Sequence, residues 1–160
     1  MAERGRYVYE YPRPMVTVDA VVFAKIAGTW HLLLIERGQD PFAGQWAIPG
    51  GFLDMDEELE TAAVRELWEE TGLAGVELCQ MHTFGTIGRD PRGRQITVVF
   101  WGIADEDNTA IKAGDDAANA KWFDIDKLPE KMAFDHDEVA KMAIERFRAS
   151  EKEFTRRSGG

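Results

Sequence analysis

A chain of 160 residues with 44% hydrophobic and 30% charged residues is long enough to bury a core as one domain and too apolar for a disordered one. Its formal net charge of -10 argues against a general grip on nucleic-acid backbone, which needs a basic surface, but a small anionic substrate stays open because local arginines or a bound cation reverse the field in a cleft. The lone Cys79 excludes an intrachain disulfide or a cysteine-cluster metal site, and with no secretory signal and no apolar run near the ~20 residues of a membrane span the sequence reads as soluble and cytoplasmic.

Residues 1–14 contain Pro12 and Pro14 and are expected to be extended. Residues 16–23, VTVDAVVF, are rich in β-branched side chains and predict a strand. Gly28 suits a turn into a second strand, WHLLLIERG, so the two read as a hairpin. The passage QDPFAGQWAIPGGFLD is loop-rich and holds two large aromatics, Phe42 and Trp46. A helix is predicted near residues 56–71, with Asp56 as its cap and Gly72 as its stop. VELCQMHTFGTI, RQITVVFWGIA and AKWFDI read as further strands, with the turn-rich GRDPRGR joining the first two. The last helix places Val139, Met142, Ala143 and Phe147 at helical spacing after a candidate cap, Asp135. Strands interspersed with two helices predict an α/β fold of the α+β type, a mixed sheet covered by helices, in one domain over residues 1–160 with a frayed tail at 155–160.

Within RELWEETGL, Glu66, Glu69 and Glu70 stand at i, i+3 and i+4 and share one helical face. Like charges at this spacing oppose a helix by only about 0.2–0.5 kcal/mol per pair, so a solvated acidic face is one sufficient explanation. A hard divalent cation is the other, since carboxylates on successive turns converge on it and their repulsion becomes attraction. Mg²⁺ keeps several waters and shares its remaining positions with substrate phosphates, which suits attack by water on a phosphorus–oxygen linkage. Arg65 is able to grip a carboxylate bidentately and hold the acidic turn.

Five residues separate Gly51 from Glu57, and seven more lead to Arg65-Glu66-Leu67, followed at fixed spacing by Glu69-Glu70 and Gly72-Leu73. This spacing matches every fixed position of the signature of the Nudix hydrolases, and the chain resembles that family over nearly its whole length. The resemblance implies a helix–sheet–helix sandwich around a mixed sheet, and Mg²⁺-dependent hydrolysis (Mn²⁺ substituting) of a nucleoside diphosphate linked to another group. Carried over position by position, Glu66, Glu69 and Glu70 resemble the metal ligands, with the carbonyl of Gly50 as an additional one. Glu57 and Arg65 look like the orienting pair of the motif; the general base varies within the family, and Glu69 is the candidate named for it.

Substrate contacts are expected outside the signature. Arg37 ends a strand shortly before it, and Arg89, Arg92 and Arg94 cluster in GRDPRGR. Arginines near a metal site clasp phosphates through paired hydrogen bonds, though three in an exposed turn are equally well solvated. Trp46 and Phe42 offer rings to a purine or, alternatively, pack at the core edge. RDPRG, with GDDAANAKWF and AFDH, resembles the ADP-ribose pyrophosphatase branch, which implies cleavage of ADP-ribose to AMP and ribose 5-phosphate. Asp115 and Asp116 then approach the metal or the terminal ribose, or form a solvated turn. His136 is expected to cap or face solvent, and His31 and His82 to be structural. The resemblance leaves open a damaged nucleoside triphosphate, a dinucleoside polyphosphate or NADH as substrate, and a non-catalytic ADP-ribose sensor. Sensors resembling this sequence carry an appended DNA-binding domain, for which only a helix and short tail remain after AFDH. A homodimer that exchanges the N-terminal segment is a further family expectation.

Overall fold

The structure, a computed structural model, describes residues 5–114 and 116–158. Asp115, named above as a loop candidate, lies outside the described residues. Strands β1 (Met15–Ile26) and β2 (Thr29–Arg37) form the expected hairpin, and Ala27 and Gly28 at its tip both have positive φ, 49° and 82°. Two short strands follow, β3 (Trp46–Ala47) and β4 (Gly50–Phe52), then helix α1 (Leu59–Thr71). The chain continues through β5 (Cys79–Phe84), β6 (Gln95–Ala104) and β7 (Ala117–Asp124) into α2 (His136–Ser158). The last helix therefore reaches into the segment expected to be a frayed tail. Residues 5–14 form no regular element and are exposed.

All seven strands join one sheet in the order β3-β2-β1-β6-β5, with β4 on β1 and β7 on β2. β1 and β6 run parallel and the remaining pairs antiparallel, so the sheet is mixed. β1 meets β2 only from Phe23 to Ile26, and its earlier residues Thr17–Asp19 pair with β4 instead. The hairpin thus splits, and the short passage β3–β4 occupies the split, with β3 bonded to β2 and β4 to β1. This wedge brings Gly50 beside Glu70 and Gly51 beside Glu66.

Strand alternation assigns the two faces. Val21, Phe23, Leu32, Leu34 and Val99 pack with Val139, Ala143 and Phe147 of α2. Phe147 stacks on Phe23 at 4.4 Å and meets the edge of Trp30 at 4.7 Å. On the opposite face, Ala20, Val22, Ala24 and Leu33 pack with Leu67, and Val18, Val98 and Phe100 pack with Ala62 and Ala63 of α1. The paired alanines let α1 approach the sheet closely, which draws its acidic face toward the wedge. The layers are helix, sheet, helix.

Gly72 stops α1 in the left-handed conformation, φ 70°, and its N–H donates to Trp68 O at 2.8 Å. The other end differs from the expectation. The helix begins at Leu59 with Glu58 at the cap position and no side-chain cap, so Asp56 does not serve. The junction is closed by Glu57 and Arg65.

Candidate active site

Arg65 is the hub of the loop–helix junction. Its Nη2 donates to Glu57 Oε1 at 2.6 Å and to the Phe52 carbonyl at 3.1 Å, while Nε donates to Glu57 Oε2 at 3.0 Å. Nη1 donates to Glu66 at 2.8 Å and Glu69 at 3.2 Å. Glu57 also accepts the Asp54 N–H at 2.9 Å. The guanidinium therefore ties β4, the loop and α1 together. Its hydrogen bonds hold the Glu57 carboxyl below the usual range, and those same bonds push the Arg65 pKa up.

Glu66 and Glu70 are buried, 7% and 9% exposed. Glu70 Oε2 accepts the Gly50 N–H at 3.2 Å, and a Cβ on Gly51 would lie 2.5 Å from the Glu66 carboxylate. Glycine at 51 is what lets the strand pass over that carboxylate. Burial raises the pKa of both; for Glu70 the shift is large, with the Glu66 charge as its second cause. Two buried carboxylates that each resist ionisation fit a cation between α1 and the wedge. Among the described residues no three acidic, histidine or cysteine side chains form a ready-made cage. A hard divalent ion held here would need further oxygen ligands beyond these carboxylates.

Of the expected substrate contacts, two arginines are brought together. Burial, then the nearby Arg92 charge, lowers the pKa of Arg37, while Glu70, Asp90 and Asp116 oppose the shift. Arg37 Nε donates to Pro41 O at 2.7 Å. Arg92 is forked on Asp90, Nε at 3.1 Å and Nη2 at 2.8 Å, which leaves Nη1 outside the fork. Burial raises the Asp90 pKa, but the hydrogen bonds from Arg92 outweigh it and the net shift is downward. Asp116 is exposed and accepts from Gln39 at 3.0 Å, in a loop tied to the end of α1 by the Gly114 N–H on Glu70 O at 3.2 Å.

The other three expected contacts have structural partners. The Arg89 side chain is 4% exposed and forked on Asp135 at 2.9 and 2.6 Å, and Arg94 donates to Gly85 O at 2.6 Å. Trp46 meets Phe123 at 4.8 Å and is partly buried against the α2-side core. Asp135 thus spends its side chain on Arg89, and only its carbonyl accepts from the first turn of α2.

His136 is a correction: it is buried, 5% exposed, and does not face solvent. Its Nδ1 accepts the Ile48 N–H at 3.0 Å, so Nε2 carries the proton and lies 3.8 Å from Asp19. Burial lowers its pKa below the ordinary 6.5. The folded state then binds fewer protons than the unfolded chain, so stability rises with pH through this window and is lost as pH falls below 6.5. His136→Asn keeps an acceptor for Ile48 and cannot protonate. Its thermal midpoint should therefore fall less steeply than the wild type's between pH 6.5 and about 5. Parallel curves would contradict the buried neutral imidazole.

The NUDIX domain family matches residues 13–143. An ADP-ribose pyrophosphatase of Methanocaldococcus jannaschii is 43% identical over 131 residues, covering 82% of this chain and 73% of that protein. An ADPR responsive transcriptional repressor of Acinetobacter baylyi is 33% identical over 86% of this chain, which spans 56% of the repressor. Among solved structures, the NUDIX domain of Shewanella oneidensis NrtR complexed with ADP ribose aligns with a TM-score of 0.79 at 33% identity, covering 86% of this chain and 90% of that one. A bifunctional NMN adenylyltransferase/ADP ribose pyrophosphatase from Francisella tularensis, complexed with AMP and a Mn ion, aligns at 0.73 and 30% identity over 86% of this chain and 43% of that one. The chain belongs to the Nudix family, and its helix–sheet–helix layers are those the resemblance implied. It is a Nudix hydrolase.

Proposed function

We propose that the protein is a Mg²⁺-dependent ADP-ribose pyrophosphatase that adds water across the diphosphate to release AMP and ribose 5-phosphate. The observation that carries this reading is the acidic face of α1, with Glu66 and Glu70 buried against Gly50 and Gly51. The likeness to the Methanocaldococcus jannaschii ADP-ribose pyrophosphatase supports the choice of substrate.

Glu66, Glu69, Glu70 and the Gly50 carbonyl would hold the metal, with Mn²⁺ able to substitute. A bound ion neutralises charge on the diphosphate and makes water a better nucleophile. Arg65 fixes Glu66 and Glu69 through Nη1 and anchors the helix start on Glu57. Glu69, whose side chain is 20% exposed against 9% for Glu66, is assigned to take the proton from the attacking water. Arg37 and Arg92 lie alongside and supply positive charge to the phosphates. Asp116 is assigned to the ribose end. The enzyme acts in the cytoplasm without nucleic acid or membrane, as a homodimer joined through its exposed N-terminal segment. A single-copy mass by light scattering would contradict the dimer.

A product-resolved panel of ADP-ribose, NADH, a dinucleoside polyphosphate and oxidised nucleoside triphosphates, each with Mg²⁺ or Mn²⁺, tests the substrate. The highest kcat/KM should belong to ADP-ribose. A preference for triphosphates would overturn the substrate while keeping the chemistry.

A further inference from the structure

The tetrapeptide Ala133–His136 leads into α2 and takes part in no step of the reaction, yet every residue of it grips something near the site. The Ala133 N–H donates to Trp46 O at 2.8 Å, Asp135 forks Arg89, and His136 accepts from Ile48. Phe134 is the remaining member. It is a non-glycine residue at φ 53°, in the left-handed region that a bulky side chain rarely adopts. The guanidinium of Arg37 lies 4.9 Å from its ring centre and that of Arg92 lies 5.3 Å from the same centre. Both are within cation–π range.

Two like charges gathered on one ring repel each other, and an aromatic face is one of the few neutral surfaces that attracts both. The ring itself packs against a second aromatic. Phe42 meets it edge-on at 4.8 Å, and Phe42 too holds a positive φ, 65°. Arg92 has a second ring under it, Phe52, at 5.2 Å, in the strand that precedes the acidic helix. The arginines are further pinned at Nε, Arg37 by Pro41 O and Arg92 by Asp90. Such pinning on a rigid ring fixes where their remaining N–H groups reach.

We propose that Phe134 is a positioning residue: its ring is the platform that aligns Arg37 and Arg92 as a pair to receive the diphosphate of the substrate. This deepens the functional reading and rests on it for the identity of the substrate. The pair recognises a diphosphate, two linked phosphates that present charge to two guanidiniums at once. Left-handed backbone at Phe134 is then maintained because it turns the ring inward under the arginines while the next two residues reach Arg89 and Ile48.

The test pairs steady-state kinetics on ADP-ribose with calorimetric binding of inorganic pyrophosphate, both on the full chain. Phe134→Leu keeps an apolar side chain and removes the ring, whereas Phe134→Tyr keeps the ring. The leucine variant should raise KM and weaken pyrophosphate binding by about tenfold each, with the larger loss in KM rather than kcat, and tyrosine should restore both to within about twofold. Phe134→Met serves as the ringless variant should leucine fail to fold. Leucine and tyrosine variants that bind pyrophosphate equally would overturn the platform, as would a loss confined to kcat. If the wild type turns over no ADP-ribose but pyrophosphate binding follows the ring, the functional reading falls and the platform stands. Turnover of ADP-ribose with binding indifferent to the ring does the opposite: the enzyme stands and the platform falls.

Discussion

Glu70→Gln should lower Mg²⁺-dependent turnover by about a thousandfold or more while the protein stays folded. Glutamine has the same shape and keeps an oxygen to accept the Gly50 N–H. What it removes is the charge, in a place where burial and Glu66 already push the carboxyl well above its ordinary range. Altering a residue that merely supports a ligand costs about 10–100-fold in affinity or activity, so losing a direct ligand exceeds that. The stability of the metal-free protein separates chemistry from folding. Its thermal midpoint should be equal or higher in the variant, because a carboxylate that burial and Glu66 disfavour gives way to a neutral amide. Added Mg²⁺ should raise the wild-type midpoint, as any ligand of the folded state does, and leave the variant's unmoved. Full activity in Glu70→Gln would remove Glu70 from the metal site.

The second large effect is Gly51→Ala, for which turnover should drop about a hundredfold with little loss of stability. The new Cβ would sit 2.5 Å from Glu66 Oε1 and 2.6 Å from Oε2, so the carboxylate must swing aside. Because it ends a flexible side chain, the fold absorbs the shift, but a displacement of about 1 Å at a reacting centre costs about a hundredfold in rate. Gly50→Ala is the informative contrast. There the nearest atoms include the Val18 carbonyl at 2.3 Å and Asp19 Cα at 2.9 Å, which are backbone of the central strand. That variant should lose about 1–3 kcal/mol of stability to overpacking, measured by denaturant unfolding. Neighbouring glycines would thus differ: Gly51→Ala fails in rate with the fold kept, and Gly50→Ala fails in folding as well. A Gly51→Ala enzyme of normal rate would show that Glu66 need not stand where it does.

Much of this site was legible because its logic is local. The i, i+3, i+4 glutamates, the glycine before them and Gly72 after them are spaced by one helix and its entry loop, and the structure keeps that spacing. Long strands were legible for the same reason, since β-branched alternation in β1 and β6 reports local geometry. The short strands β3 and β4 were not, because a two- or three-residue strand exists only through the split between β1 and β2 that receives it. The burial of His136 was hidden because its partner, Ile48, is 88 residues away. The arginines of GRDPRGR looked equivalent in sequence. Only tertiary contact separates Arg89, consumed by Asp135, from Arg92, which lies beside Arg37 over Phe134. The tetrapeptide AFDH at the head of α2 was visible only as part of a resemblance, because its contacts to Trp46, Arg37, Arg89, Arg92 and Ile48 all join residues distant in sequence.

The central claim is that the acidic face of α1 hydrolyses the diphosphate of ADP-ribose. It is tested most directly by incubating the full chain with ADP-ribose and Mg²⁺ and resolving the products over time. AMP and ribose 5-phosphate should appear in equal amounts, with none formed when the metal is chelated. Tight binding of ADP-ribose with no product in the presence of Mg²⁺ would contradict the claim and identify the domain as a sensor.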